Sequence, residues 1–302
     1  MKTALNLTDL RYLSDLISMG VDLFIVGSKY SAYTSLRLDI EAIKDLRKRL
    51  ERRKLYINVN GLYDEHELEG LFKHIDTLYT CHIDGLLFQD FAVLHYIKRM
   101  GYDLELMYAP MTLNTNSYTL NALKRYGITS AWIAKEIPLD EQAEIAKKAE
   151  LPLMIQGHGV QYMASSKRPL VSHYEKASGL TFDHSNLTIH PRGEDFPCHI
   201  YEDSRGATIY TVNKLYTLDL LQSLKDFEYL YIETMYMSPL ETVEVVNMYT
   251  DCIKVLNTDQ YVRHYKEYLP MLRKISSPLD RGFIEDKTLY HLEDVKRRDN
   301  NG

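Results

Sequence analysis

The feature that most constrains the fold of this chain is a repeated alternation of short apolar runs with amphipathic helical segments. Apolar residues recur at helical spacing between successive runs, which is typical of strands that alternate with helices. Eight runs have the length and composition of strands: 3–7, 22–28, 54–61, 85–90, 104–110, 130–136, 151–157 and 229–235. This order predicts an α/β fold, a (β/α)8 TIM-like barrel.

A doubly wound open sheet is the alternative fold. Such a sheet normally carries a glycine-rich phosphate-binding turn after its first strand. The corresponding segment here reads NLTDL and contains no glycine. The barrel is therefore the favoured interpretation.

The alternation is interrupted once, between the seventh and eighth strands, where roughly seventy residues intervene. Two β-like runs, 196–200 and 207–212, flank Arg205-Gly206 and predict a β-hairpin insertion over the barrel mouth. We expect the barrel to span 1–258, including a distinctive segment and the hairpin at 158–218. We expect 259–302 to form a C-terminal extension.

Composition excludes several classes of protein. The chain is 45% hydrophobic with a formal net charge of −6, so it has a normal core and no global basic field, although local basic patches stay open. Its three cysteines are far apart, which favours reduced thiols over a disulfide frame. No apolar run approaches ~18 residues, and acidic residues come early in the N-terminus, so we expect a cytoplasmic protein with no membrane span or signal peptide.

The sharpest candidate for chemistry lies in the stretch 151–172, LPLMIQGHGVQYMASSKRPLVS. His158 stands between two glycines at the expected carboxyl end of the seventh strand, where it could act as an acid, a base or a donor to substrate. The alternative is a buried histidine bonded to a backbone carbonyl. Gln156 and Gly159 beside it are candidate substrate contacts, because a glycine lets the backbone approach a ligand closely.

Other polar residues follow the remaining strands. Glu136 could be an active-site carboxylate or simply the partner of Lys135. Asn58, Asn60 and Gln89 could bind a polar ligand, although asparagines also cap loops. All of them would converge on one rim of a barrel.

Basic residues suggest an anion site. Lys167, Arg168 and Arg192 could hold a carboxylate or phosphate, or could be solvated surface charges. No histidine pair has metal-ligand spacing, and no GxSxG, P-loop or HExxH motif occurs, so no metal site is expected.

Several segments, in order, resemble the collagenase-like peptidases, peptidase family U32. They include VDLFIVGSKYS, INVNGLYDEHEL, IDGLLFQDFAVL, TNSYTLNALKRYGITSAWIAKEIPLDE, HGVQYMASSKRPLVS and FPCHIYEDSRGATIY. The resemblance implies a barrel. It also implies one of two activities, since some members were first named proteases and others hydroxylate nucleic acid bases or ubiquinone precursors without oxygen. The base-hydroxylating members act on transfer RNA wobble uridine or ribosomal RNA with prephenate as a needed metabolite, and several hold an iron–sulfur cluster on four cysteines.

The chain departs from that pattern at the cluster ligands. Tyr162, Pro169 and Tyr216 stand where the family has cysteines, and Met154 stands where it has a glutamate. Cys81, Cys198 and Cys252 match no ligand position. The resemblance therefore implies a cysteine-poor member without a cluster of its own, because a cluster needs about four thiolates in one place.

These departures lead to three functional hypotheses. The first is a subunit in prephenate-dependent 5-hydroxylation of tRNA uridine, working beside a longer, cysteine-bearing paralogue. The second is a collagenase-like peptidase, and the third is a non-catalytic partner subunit. In the first, the candidate catalytic residues are His158 and Glu136, and the other polar and basic residues named above bind substrate.

Overall fold

The computed structural model describes residues 1–32, 34–184, 186–190 and 196–285, and its centre is a closed barrel of eight parallel strands. The last barrel strand pairs with both the first and the seventh strand, which closes the sheet on itself. The barrel strands are β1 (Lys2–Asn6), β2 (Leu23–Gly27), β3 (Lys54–Val59), β4 (Gly85–Phe88), β5 (Glu105–Tyr108), β6 (Ser130–Trp132), β7 (Leu153–Ser166) and β11 (Tyr229–Ile232). The predicted TIM-like barrel is thus confirmed.

A helix follows each of the barrel strands β1 to β6 and β11, as the predicted alternation requires, and one further helix lies in the insertion after β7. The helices are α1 (Leu13–Met19), α2 (Ile40–Leu50), α3 (Leu68–Thr80), α4 (Phe91–Met100), α5 (Ser117–Arg125), α6 (Leu139–Lys148), α7 (Leu170–Ser178), α8 (Pro239–Lys254) and α9 (Gln260–Ile275). Polar side chains fix several N-termini. At α8 the Ser238 side chain accepts from the N–H of Glu241, and the Glu241 side chain accepts from the N–H of Ser238. Pro239 occupies the first helical position.

Side chains alternate between two apolar layers along each barrel strand, as strand geometry requires. The larger layer fills the space between strands and helices and includes Leu153, Ile155 and Ile232. The smaller layer fills the barrel interior and includes Tyr56, Met154 and Tyr231, with Trp132 packed against it. The interior is therefore plugged at its centre, and any ligand site lies above that plug.

The seventh strand is longer than the sequence predicts. It was expected to end at Gly157, but β7 continues to Ser166. Its second half leaves the barrel and pairs antiparallel with β10 (Gly206–Tyr216), which pairs in turn with β9 (Cys198–Asp203). The hairpin insertion between the seventh and eighth barrel strands is confirmed, and the prolonged β7 is the strand that carries it.

Two further strands extend this layer, one antiparallel and one parallel. β8 (Leu187–Ile189) pairs with β9, and β12 (Leu279–Asp280), which follows α9, pairs with β10. Because α9 also packs on α8, residues after 258 contact both the barrel and the hairpin. The domain division at 258 stays a prediction. In the described part of the chain, no helix has both the length and the apolar character to cross a membrane.

Candidate functional site

A small pocket lies at the carboxyl ends of the barrel strands, between the interior plug and the hairpin; we call it the inner pocket. Its walls are formed by Asn6, Ile25, Asn58, Asn60, Leu87, Met111, Trp132, Gln156, Val160, Tyr162, Tyr210, Tyr231 and Glu233. It encloses about 30 Å³, which is room for a water or two. Two larger grooves, of about 350 and 330 Å³, flank the hairpin, but loop residues rather than the barrel interior form most of their walls.

Asn58, near the end of β3, and Asn60, directly after it, lie in the inner pocket, as the sequence predicts. The Asn60 Oδ1 atom accepts from the backbone N–H of Ala32 at 2.9 Å, and the Asn58 Oδ1 atom accepts from the N–H of Asn60 at 3.0 Å. Gln89 donates to the carbonyl of Asn60 from outside the pocket wall. Asn58 and Asn60 therefore face the pocket, and Gln89 supports them from behind.

Gln156 enters the pocket from β7. Its Nε2 atom donates to the carbonyl oxygens of Gly159 at 3.2 Å and Val160 at 2.9 Å, so the side chain ties the barrel part of β7 to its extension. Gly159 permits this bend because its φ is +103° and a Cβ atom would lie 2.1 Å from the carbonyl oxygen of Glu233. Gly159 thus shapes the pocket through its backbone.

Glu233 is the carboxylate of the inner pocket, and it was not among the predicted site residues. Its Oε1 atom accepts from Asn6 Nδ2 and from the backbone N–H of Met235, both at 2.9 Å, and its Oε2 atom accepts from the Tyr231 hydroxyl at 2.8 Å. Burial raises the pKa of Glu233, although these hydrogen bonds work in the opposite direction. The sequence signal was its spacing from Tyr229 and Tyr231: Glu233 directly follows β11 and continues the inward-facing alternation of these two residues.

The extension of β7 and strand β10 form the roof of the pocket. Val160 and Tyr210 pack together there with Met235, and Tyr162 packs against them. Lys135 lies next to this roof: its Nζ atom is 5.2 Å from the ring centre of Tyr162 and 2.7 Å from Glu136 Oε1. Glu136 therefore pairs with Lys135 beside the roof and does not line the inner pocket.

His158 occupies the opposite face of β7 from the one expected. The register between β7 and β11 shifts at Gly157, so that His158 pairs with Ile232 and points toward the helices. Its Nε2 atom lies 2.9 Å from Ser276 Oγ and its Nδ1 atom 3.4 Å from the Tyr249 hydroxyl. His158 is fully buried, and burial lowers its pKa to about 3. The structure therefore does not bring the expected rim histidine to the pocket.

The contact between His158 and Ser276 has the composition of a nucleophile–base pair but not its setting. Ser276 has no exposed surface, and its hydroxyl donates to Glu241 Oε1 at 2.6 Å. Glu241 also accepts from Lys214 Nζ at 2.7 Å. A serine that donates its hydroxyl proton to a carboxylate cannot pass that proton to the imidazole. The contacts among His158, Ser276 and Glu241 instead join the barrel to α9.

The basic residues expected to form an anion site are spread out. Lys167 is exposed and its Nζ atom lies 2.8 Å from Asp64 Oδ1, in the 330 Å³ groove beside the hairpin turn. Arg168 is exposed at the end of β7. Arg192 lies outside the described residues. An anion site on these residues stays a prediction.

The cysteines lie on separate elements. Cys81 ends α3, where its Sγ atom donates to the carbonyl of Thr77 at 3.3 Å, Cys198 begins β9, and Cys252 lies in α8. Burial raises the pKa of Cys252 to about 12. Within the described ranges, no cluster of three or more histidine, cysteine, aspartate or glutamate side chains could hold a metal ion.

This chain is similar to known proteins in fold and, separately, in sequence. A xylose isomerase domain protein of Salmonella typhimurium LT2 superposes with a TM-score of 0.41 at 10% identity, covering 90% of this chain and 97% of that one. Two bacterial sequences are more informative. The tRNA hydroxylation protein P2 of Bacillus subtilis is 29% identical over 294 residues, which is 91% of this chain and 94% of that protein.

The tRNA hydroxylation protein P of Haemophilus influenzae is 24% identical over 143 residues, which is 47% of this chain and 30% of that protein. The family model of peptidase family U32 matches residues 8–293, nearly the whole chain. The chain therefore belongs to peptidase family U32.

Proposed function

We propose that this chain is a tRNA hydroxylation protein, a subunit that binds a uridine of tRNA for prephenate-dependent 5-hydroxylation. The observation that carries the proposal is its 29% identity, across nearly its full length, to the tRNA hydroxylation protein P2. The site supports it through its chemistry, because polar side chains, a buried carboxyl and aromatic walls at the carboxyl end of a barrel are the groups that bind an unstacked base. Its enclosed volume of about 30 Å³ means that the roof has to move before a base can enter.

The roles of the chain's own residues follow from their contacts. Asn58, Asn60 and Gln156 would orient the ring, and Glu233 would hold or accept a proton at its edge. The exposed Lys167 and Arg168 at the end of β7 would contact phosphate of the RNA or the carboxylates of prephenate. With a net charge of −6, RNA affinity would depend on such local contacts.

We also propose that the redox centre belongs to a partner. The sequence holds three cysteines, they lie on three separate elements, and burial disfavours the thiolate form of Cys252. This set does not fit an iron–sulfur cluster, which needs about four thiolates in one place. A longer, cysteine-bearing paralogue of the same family is the partner expected to supply them.

Deleting the gene and measuring 5-hydroxyuridine in tRNA by mass spectrometry tests the proposal. We expect the modification to fall, to return with the unmodified gene or with Asn257→Leu, and to stay low with Glu233→Gln. Asn257 is exposed in the turn after α8 and serves as the matched control. Unchanged 5-hydroxyuridine after deletion, alone and with the paralogue deleted as well, would sink the proposal.

The same experiment separates the alternatives. If the chain is a non-catalytic partner subunit, the gene carrying Glu233→Gln would still restore the modification. A peptidase would leave 5-hydroxyuridine unchanged and would cleave gelatin as the purified protein. The buried Ser276–His158 contact gives the peptidase no support.

A further inference from the structure

We propose that the inner pocket is entered from the neighbouring groove of about 350 Å³, through a gate that consists of the Met235 and Tyr236 side chains. This groove lies between α1, the start of α8 and the hairpin, and we call it the outer groove. Leu7, Tyr12 and Tyr201 form part of its walls, together with both gate residues. The route serves any ligand of the inner pocket, whatever reaction takes place there.

The two cavities share one wall, which is a cluster of side chains above the barrel mouth. Its members are Val160, Tyr162, Tyr201, Tyr210, Met235 and Tyr236. The first two and Tyr210 line the inner pocket, and the other three line the outer groove. The rings of Tyr210 and Tyr236 lie edge to face, with their centres 6.1 Å apart. A gate residue on the groove side is therefore in direct contact with the roof of the inner pocket.

The sizes of the two cavities suit an outer and an inner chamber. The outer groove, at about 350 Å³, lies within the ~300–1,000 Å³ typical of small-molecule sites. The inner pocket, at about 30 Å³, is far below that range. The outer groove can thus hold a small molecule without rearrangement, and a molecule bound there lies against the gate.

The hairpin itself is held at both ends, so its movement is the costlier way to open the roof. Its turn carries the ion pairs of Arg37 with Asp203 and of Arg205 with Glu67, all of them partly buried. Its other end continues as β10, which pairs with β7 and so with the barrel sheet. Swinging the hairpin away leaves partly buried charges without partners, whereas rotation of the two gate side chains breaks no ion pair.

Tyr236 is held in its closed position by ring contacts on a strained backbone. Its ring is parallel to that of His199, with 4.0 Å between the centres and 8° between the planes. In the described part of the chain, ring contacts rather than hydrogen bonds hold this side chain. The φ of Tyr236 is +61°, a left-handed conformation that a residue with a side chain keeps only where its surroundings hold it. Met235 beside it has a flexible, unbranched side chain, so both gate residues can turn aside without losing a side-chain hydrogen bond.

Trp132 reports the opening of the gate, because it is the single tryptophan of the chain and lines the inner pocket. Acrylamide quenches indole emission on contact, and it is larger than the water or two for which the closed pocket has room. Quenching through a gate increases with the fraction of time for which the gate is open. We would measure the acrylamide quenching constant from the emission lifetime of the purified full-length chain and its variants.

Two variants remove the gate and one preserves it. Tyr236→Gly removes the ring and also the backbone strain, because glycine adopts a φ of +61° freely, and the quenching constant should rise at least about threefold. Tyr236→Phe keeps the stacked ring and should be quenched like the unmodified chain. Met235→Ala should also raise the quenching constant, and it carries the test if circular dichroism shows that Tyr236→Gly does not fold.

Glu67→Gln tests the alternative movement, since it loosens the hairpin turn and leaves both gate residues in place. Its quenching constant should stay close to that of the unmodified chain. The gate is refuted if neither gate variant increases quenching, or if Glu67→Gln increases it as much as they do. A larger increase in Met111→Ala than in either gate variant would place the entrance at the loop after β5 and would equally overturn the proposal.

Discussion

His158 gives the chain a measurable dependence of stability on pH. Its pKa is about 3 in the folded protein against an ordinary value of 6.5, because burial disfavours the charged ring. Between these values the unfolded state binds the extra proton. The free energy of unfolding therefore falls as pH drops below 6.5, by up to about 1.4 kcal/mol per pH unit for this group.

His158→Gln should remove that contribution and flatten the fall in stability toward acid pH, while the unfolding free energy near neutral pH drops because packing is lost. Urea unfolding measured at several pH values between the two pKa values checks this. His74, whose pKa burial lowers to about 4, remains in both proteins and cancels in the comparison. The prediction would be contradicted if the unfolding free energy of His158→Gln fell toward acid pH as steeply as that of the exposed control His66→Gln.

Gly159 is expected to be the least replaceable glycine of the site. Its φ of +103° strains any side chain, and a Cβ atom would lie 2.1 Å from the backbone oxygen of Glu233. Gly159→Ala should therefore lower the free energy of unfolding by at least about 1–3 kcal/mol. Gly179→Ala is the matched control, since φ there is +72° with no atom within 4 Å of the added carbon.

Strain alone should make Gly179→Ala mildly destabilising, by about 1 kcal/mol. The difference between the two variants in urea unfolding then measures the contact with Glu233. Equal losses would show that the chain moves apart at Gly159 without cost and that the bend of β7 is not tightly packed.

At the scale of single residues, strand-end position indicated where Asn58, Asn60 and Gln156 lie, and their role as substrate contacts stays a prediction. It did not indicate where His158 lies, for a physical reason. Strict alternation from Met154 and Gln156 would place His158 inside the barrel, but one shifted residue at Gly157 turns it outward. The same alternation on β11 would have identified Glu233, two residues beyond Tyr231.

At the scale of elements, the hairpin is held to the barrel by partly buried ion pairs. Arg205 at its turn contacts Glu67 Oε1 at 2.5 Å and lies over the rings of Tyr30 and Tyr63, at 5.3 and 5.4 Å. Arg37 pairs with Asp203 on the same turn. These contacts come from the loops after β2 and β3, so they tie the roof of the inner pocket to the far side of the barrel mouth.

Glu67→Gln should loosen this attachment without unfolding the barrel. Losing a partly buried charge partner costs about 1–2 kcal/mol, so amide exchange in β9 and β10 should accelerate by a factor of roughly 5–30. Hydrogen exchange read by mass spectrometry measures it. The control is Glu69→Gln, two residues after Glu67, which removes an exposed ion pair with Lys73. Equal protection of the hairpin in both variants would contradict a clamping role for Arg205.

Element positions were largely predictable because each barrel strand and helix buries its own apolar face. The extension of β7 was not. Its residues from Tyr162 to Ser165 are mostly exposed or half-buried and lack a buried alternation, so nothing local indicates a strand. They are a strand because β10, about 45 residues later, supplies the partner. A long-range pairing of that kind has no signal in the local sequence.

At the scale of the whole molecule, the segment after 258 packs against the barrel helix α8 and adds a strand to the hairpin. Tyr261 and Leu272 of α9 are buried, and the Tyr261 hydroxyl accepts from the N–H of Leu221 and donates to the carbonyl of Leu218. Ser276 contacts His158, and β12 pairs with β10. Residues on the two sides of position 258 are therefore in contact, and the domain division there stays a prediction that unfolding experiments can test.

We expect a chain that ends at 258 to lose several kcal/mol of unfolding free energy, since each large buried side chain removed costs about 2–5 kcal/mol. Urea unfolding followed by Trp132 emission and by circular dichroism measures the loss. Tyr261→Phe is a graded version that leaves the Leu221 N–H unpaired and should cost about 1–3 kcal/mol. A truncated chain with unchanged unfolding free energy and unchanged m-value would show that the extension folds as a separate unit, because both quantities report the surface buried in one cooperative transition.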